Sequence, residues 1–134
     1  MTQNLQAATR PPLMMTETDA DKITDLALAA RDRAGQVSSL LLEEIDRADI
    51  VVPDALPSDV ISMSSTVEFI DEGTGVGRAI QLVYPHEADI EQGRISILTP
   101  VGAGLIGLRE GQSIAWPDRD GHVRALRVVK VLRQ

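Results

Sequence analysis

Apolar positions along this chain follow two periods, and the change from one to the other divides it. The first period is helical. Ile23, Leu26, Ala27 and Ala30 recur at i, i+3, i+4 and i+7, a narrow apolar stripe on one helix face. Thr16 with Asp19 three positions on offers a capping box, and Glu17, Asp19 and Asp21 suit the positive end of a helix dipole. Gly35 interrupts the pattern, and a second helix is expected from about residue 37 to residue 50. There Val37, Leu41, Ile45, Ala48 and Val52 recur at spacings of four, four, three and four, in the manner of a coiled coil. Two helices joined by a short loop can bury such stripes against each other, so residues 16–52 read as an antiparallel helical hairpin. Arms of about four turns are marginal alone and must lean on the rest of the protein.

The second period is that of strands. It begins after residues 53–58, a linker held between Pro53 and Pro57. Residues 65–70 alternate, with Val67 and Phe69 on one face; Asp71-Glu72-Gly73-Thr74-Gly75 reads as a hairpin turn, and residues 78–84 as the return strand. Residues 94–98 form a further strand, residues 101–108 a short helix behind Pro100, and residues 112–116 and 123–132 a pair of strands around a turn. Residues 1–15 lack either period, include Pro11-Pro12, and read as a flexible tail. The predicted fold is α+β: a short helical hairpin, then an antiparallel sheet with one helix over residues 59–134.

Composition narrows what this fold can do. The chain has 134 residues, room for one compact domain with a short appendage. Aromatic residues are only 2%, Phe69, Tyr84 and Trp116, which argues against a base-stacking platform or an aromatic-lined pocket. A net charge of −7 repels phosphate backbones, so strong direct nucleic-acid binding is not expected. With no cysteine, disulfides, thiolate zinc sites and a cysteine nucleophile are excluded. The longest uncharged stretch, residues 95–108, is broken by Pro100 and three glycines and cannot span a bilayer, so no membrane role is expected and the expected location is cytoplasmic. Charge is uneven: residues 16–50 hold nine acidic and four basic groups, whereas residues 119–134 hold five basic and one acidic. The basic end reads as solubility and edge protection ahead of a binding patch.

The candidate chemistry is sparse. Gly102-Ala103-Gly104-Leu105-Ile106-Gly107 fits G-x-G-x-x-G, but only 27 residues follow and they read as an antiparallel hairpin, not the next strand of a dinucleotide fold. The favoured reading is small residues that let a helix pack tightly on a sheet. His86, Glu87, Asp89 and Glu91 cluster without metal-site spacing, His122 has no evident partner, and Ser62, Ser64 and Ser65 lack a base. No catalytic, cofactor or metal residue is assigned, and the chain reads as an interaction protein, not an enzyme.

One stretch is specific. Tyr84-Pro85-His86-Glu87-Ala88-Asp89-Ile90-Glu91-Gln92-Gly93-Arg94-Ile95-Ser96-Ile97-Leu98-Thr99-Pro100, followed by Val101-Gly102-Ala103-Gly104-Leu105-Ile106-Gly107-Leu108-Arg109-Glu110-Gly111-Gln112, resembles the C-terminal domain of the bacterial Gre transcript-cleavage factors. Leu42-Glu43-Glu44-Ile45-Asp46-Arg47-Ala48 and Leu56-Pro57-Ser58-Asp59-Val60-Ile61-Ser62-Met63 resemble one branch of that family, the Rnk-type regulators of nucleoside diphosphate kinase. The resemblance implies an FKBP-like α+β domain and RNA polymerase as partner. In Gre factors a long coiled coil enters the polymerase secondary channel, and acidic residues at its tip help hold the catalytic magnesium. Rnk-type proteins keep the globular domain with a much shorter hairpin.

Here an arm of about 14 residues reaches only about 21 Å, and the tip offers Asp32 between Arg31 and Arg33 where Gre factors carry a D-x-x-E-N-like run. The resemblance therefore implies occupancy of the channel entrance without stimulated cleavage. It places the polymerase-rim contact at Leu98, Thr99, Pro100 and Val101: the family's Ser-Pro, preceded by an acid, is here Thr99-Pro100 preceded by Leu98. Asp32 is the hairpin-tip candidate, with a solvated turn carboxylate as the plainer reading. A link to nucleoside diphosphate kinase, direct or through expression, is implied by the branch. Two rival functions stay open: a peptidyl-prolyl isomerase, suggested by the FKBP-like fold alone, and a true cleavage factor.

Overall fold

The computed structural model describes residues 11–117 and 120–133. The helical period becomes α1 (Glu17–Ala29) and α2 (Gly35–Arg47), joined by a turn in which the Arg33 and Ala34 N–H groups both donate to the Ala30 carbonyl. On α1 the expected stripe is the one buried: Ile23, Ala27 and Ala30 are inaccessible and Leu26 is half-buried. On α2 it is not. The buried face is Val37, Ser38, Leu41 and Glu44, while Ile45 is only half-buried and Val52 is exposed.

The expected second helix to residue 50 is corrected by the tertiary structure. Helix α2 stops at Arg47, and Asp49–Val51 form a strand, β2, that pairs in parallel with β1, Met14–Thr16. The Asp49 N–H donates to the Leu13 carbonyl at 2.8 Å, so the segment before α1 supplies hydrogen bonds that a further helical turn would have made internally. The tail expectation is corrected with it from Leu13 on, because Leu13 and Met15 are each only 1% exposed; residues 1–10 lie outside the described residues. The pairing is locked by Arg47. Its guanidinium donates to both carboxylate oxygens of the buried Glu44, at 2.9 and 2.8 Å, and to the Pro11 carbonyl. A carboxylate at 1% exposure is tolerable only with such a bidentate partner.

The strand period becomes β3 (Thr66–Asp71), β4 (Val76–Val83), β5 (Arg94–Ser96), β6 (Ser113–Pro117) and β7 (Val123–Leu132), in one sheet of order β5-β4-β3-β7-β6. The class is α+β. The sheet is mixed and not wholly antiparallel, because β5 runs parallel to β4. A hairpin turn cannot make that connection; the chain instead passes through two 3-10 turns, Pro85–Glu87 and Ile90–Gln92, before rejoining the edge. No helix among the described residues is long and apolar enough to cross a membrane.

Helix α3 (Pro100–Leu105) packs on this sheet through missing side chains. A Cβ on Gly104 would lie 2.9 Å from the Trp116 ring, and one on Gly102 would collide with the Ser96 carbonyl oxygen. Gly107 ends the segment at φ 84°, and a Cβ there would come within 3.1 Å of the Met14 carbonyl. The G-x-G-x-x-G run is thus accounted for by close packing, residue by residue.

The hairpin is pinned to the sheet domain by Asp19. Thr16 Oγ1 accepts from the Asp19 N–H at 3.1 Å, which is half of the expected capping box. The Asp19 carboxylate does not turn back to complete it; it accepts from the Met63 N–H at 3.2 Å, and its charge acts on the Tyr84 phenol. Lys22 lies over the Tyr84 ring at 5.8 Å, and His86 stacks on it with centroids 6.4 Å apart. Burial, then the nearby charges of Asp19 and Glu87, push the Tyr84 phenol up to about 12.

Two outcomes follow from this packing. Gly104→Ala and Gly102→Ala each gain about 1 kcal/mol of helix propensity, but overpacking costs about 1–3 kcal/mol. Both variants should show lower urea midpoints, Gly102→Ala the lower because a backbone carbonyl cannot move aside; a raised midpoint for either would contradict the packing. Tyr84 is the chain's one tyrosine, so phenolate absorbance reports it alone. Its midpoint should fall near 12 in the folded protein and near 10 in denaturant. The folded state holds this proton more tightly, so the contribution to stability is whole below pH 10 and fades as pH rises from 10 to 12. Tyr84→Phe should lose that component of the alkaline decline.

Candidate docking site

Strand β5 ends at Ser96, Ile97 turns inward and is fully buried, and the next four residues form the junction with α3. Ser96 organises it. Its carbonyl accepts from the Thr99 N–H at 3.1 Å and from Thr99 Oγ1 at 2.8 Å, and its own Oγ accepts from the Leu98 N–H at 3.0 Å. Thr99 is the N-cap of α3, its Oγ1 accepting from the Gly102 N–H at 3.1 Å. Pro100 takes the first helical position, where a missing N–H costs nothing. The junction is therefore rigid, and Thr99 supplies the same capping hydroxyl that a serine would.

Leu98, Thr99, Pro100 and Val101 are all half-buried. Thr99, Pro100 and Val101 form one wall of an open cavity of about 450 Å3, with Arg78 and Ile80 from β4, Ala88 and Ile90 from the 3-10 turns, and Arg94, Ile95 and Ser96 from β5. Leu98 does not join them; it packs against the core. Asp32 stands apart, exposed on the hairpin turn. Arg33 donates to the Ala29 carbonyl at 3.5 Å there.

Pro100 and Val101 also border a smaller cavity of about 260 Å3, which Phe69, Trp116 and Leu126 line from the sheet. Two of the three aromatic residues, Phe69 and Trp116, thus line one cavity. Tyr84 alone lies elsewhere, at the α1 joint. The His86–Glu91 cluster holds no metal arrangement: among the described residues no three His, Asp or Glu side chains converge. His86 stacks on Tyr84, and Glu87 Oε1 accepts from the Tyr84 N–H at 3.3 Å.

The basic C-terminal strand is largely spent within the chain. Arg124 pairs with Asp71 at 3.1 Å, Arg127 with Glu72 at 3.4 Å, and Arg133 donates to the Leu56 and Pro57 carbonyls. Arg119 lies outside the described residues. What sequence reasoning missed at the junction is the opposite wall. Arg78, Ile90 and Arg94 come together only because β5 folds back beside β4, and the one available signal was an isoleucine within an otherwise polar run.

With this geometry in hand, three comparisons converge. Residues 56–133 match the family model described as transcription elongation factor GreA/GreB, C-terminal. The chain is 36% identical over 123 residues to the regulator of nucleoside diphosphate kinase of Escherichia coli (strain K12), covering 91% of this chain and 90% of that one. It is 31% identical to the transcription elongation factor GreA of Acidiphilium cryptum (strain JF-5), covering 93% of this chain and 87% of that one. Among solved structures, the transcription elongation factor GreA/GreB from Nitrosomonas europaea superposes with a TM-score of 0.71 at 36% identity, over 90% of this chain and 98% of that one. The chain belongs to the GreA/GreB transcription elongation factor family, and within it is similar to the regulators of nucleoside diphosphate kinase.

Proposed function

We propose that this protein is a transcription regulator that docks on RNA polymerase at the rim of the secondary channel through the β5–α3 junction, and that it does so without stimulating transcript cleavage. Its membership among elongation factors supports the class. The observation that carries the docking surface is the junction itself: Thr99 and Pro100 are held rigid by Ser96 at the mouth of an open apolar cavity. Rigid, half-buried and apolar is what a docking element needs, since little ordering entropy remains to be lost on binding.

The hairpin supports the second half of the proposal. Helix α1 has 13 residues, a length of about 20 Å, too short to carry a carboxylate deep into a channel. At the tip Asp32 lies between two arginines, whose charges oppose the attraction of a metal ion. The mechanism is then occupancy: the protein competes with longer-hairpin factors for one entrance. A regulatory link to nucleoside diphosphate kinase is proposed from the similarity to the E. coli protein of that name.

Core RNA polymerase from the same source should retain the purified protein, and excess Gre factor should displace it. Pro100→Glu should weaken retention about tenfold or more, equivalent to about 1.4 kcal/mol, while leaving the thermal midpoint nearly unchanged. Equal loss of stability and binding would make Pro100 structural; no retention at low salt would end the polymerase proposal. In backtracked complexes the protein should leave the cleavage rate at its intrinsic value, and Asp32→Ala should change nothing. Stimulated cleavage that Asp32→Ala abolishes would make the protein a true cleavage factor.

A further inference from the structure

The cavity at the β5–α3 junction carries charge that the docking proposal leaves unused. Its walls are apolar, chiefly Ile80, Ile90, Ile95, Pro100 and Val101, and Ile90 is 80% exposed at its rim. Its mouth carries two guanidinium groups, Arg78 on β4 and Arg94 at the start of β5. Among the described residues neither side chain makes an ion pair or a hydrogen bond. That sets them apart on the sheet domain, where Arg109 pairs with Asp59, Arg124 with Asp71 and Arg127 with Glu72, and Arg133 caps two carbonyls. Among the described residues one carboxylate, Asp120, also lines the cavity; Asp89 and Glu91 flank Ile90 in the chain but do not line it. In a protein of net charge −7, two arginines with no partner among the described residues, set around an exposed apolar groove, run against the overall field.

Resting on the docking surface proposed above, we infer that this groove receives an apolar side chain carried on a carboxylate-rich segment of the partner protein. Burial of the apolar side chain against Ile80, Ile90, Ile95 and Val101 supplies the bulk of the attraction. Arg78 and Arg94 supply its direction, since guanidinium forks match carboxylates bidentately. A basic segment of the same shape would place like charges together and be rejected.

The test uses the full chain and two fluorescein-labelled peptides, each a leucine pair flanked by glutamates in one and by lysines in the other. Anisotropy should show the glutamate peptide binding about tenfold or more tighter than the lysine peptide, with the preference shrinking as salt is raised. The double variant Arg78→Glu, Arg94→Glu should reverse the preference. Ile90→Ser should weaken the glutamate peptide without moving the thermal midpoint, because the side chain is 80% exposed. Equal binding of the two peptides, no binding of the glutamate peptide, or indifference to the charge reversal would overturn the inference. The same variants in the polymerase retention assay separate the two proposals. If Pro100→Glu loses the polymerase but Arg78→Glu, Arg94→Glu keeps it, the docking surface stands and the groove's chemistry is refuted. If the polymerase is never retained but the glutamate peptide binds as described, the groove stands and the polymerase falls.

Discussion

Everything at the β5–α3 junction depends on how closely α3 can lie against the sheet. At Gly102 a single added carbon would strike the Ser96 carbonyl, and at Gly104 it would meet the Trp116 ring at 2.9 Å. That closeness fixes where the helix begins. Since Thr99 bonds back to Ser96 while capping α3, the capping residue and the end of β5 become one rigid piece. Pro100 and Val101 then stand on the cavity wall because the helix has no room to rotate. A glycine pattern that looks like phosphate-binding chemistry is, in this fold, a statement about packing distance.

The hairpin depends on a different kind of constraint, polar and not steric. Its two helices are too short to be stable by themselves, and they are fastened at both ends of the sequence that contains them. Asp19 ties α1 to the Met63 N–H, while Arg47, braced by Glu44 of its own helix, ties α2 to the Pro11 carbonyl. Between these fasteners the β1–β2 pair closes the base of the hairpin. The result is a short arm held firmly to the domain.

The division of the chain into a helical and a strand half, the α1 stripe of Ile23, Ala27 and Ala30, the 71–75 turn and the β7 span were legible from the sequence alone, because each is written in local periodicity or turn chemistry. So was the family, since the run through Thr99-Pro100 is long and specific. What tertiary structure alone decided has a common physical cause: partners far apart in sequence. Leu13 sits beside Asp49 and ends α2 three residues early; Glu44 is buried because Arg47 reaches it and Pro11 together. Strand β5 lies parallel on β4, and so Arg78, Ile90 and Arg94 face Pro100 across one cavity. Periodicity reports which face of an element is apolar, whereas the identity of what covers that face is set by long-range contacts that no local pattern encodes.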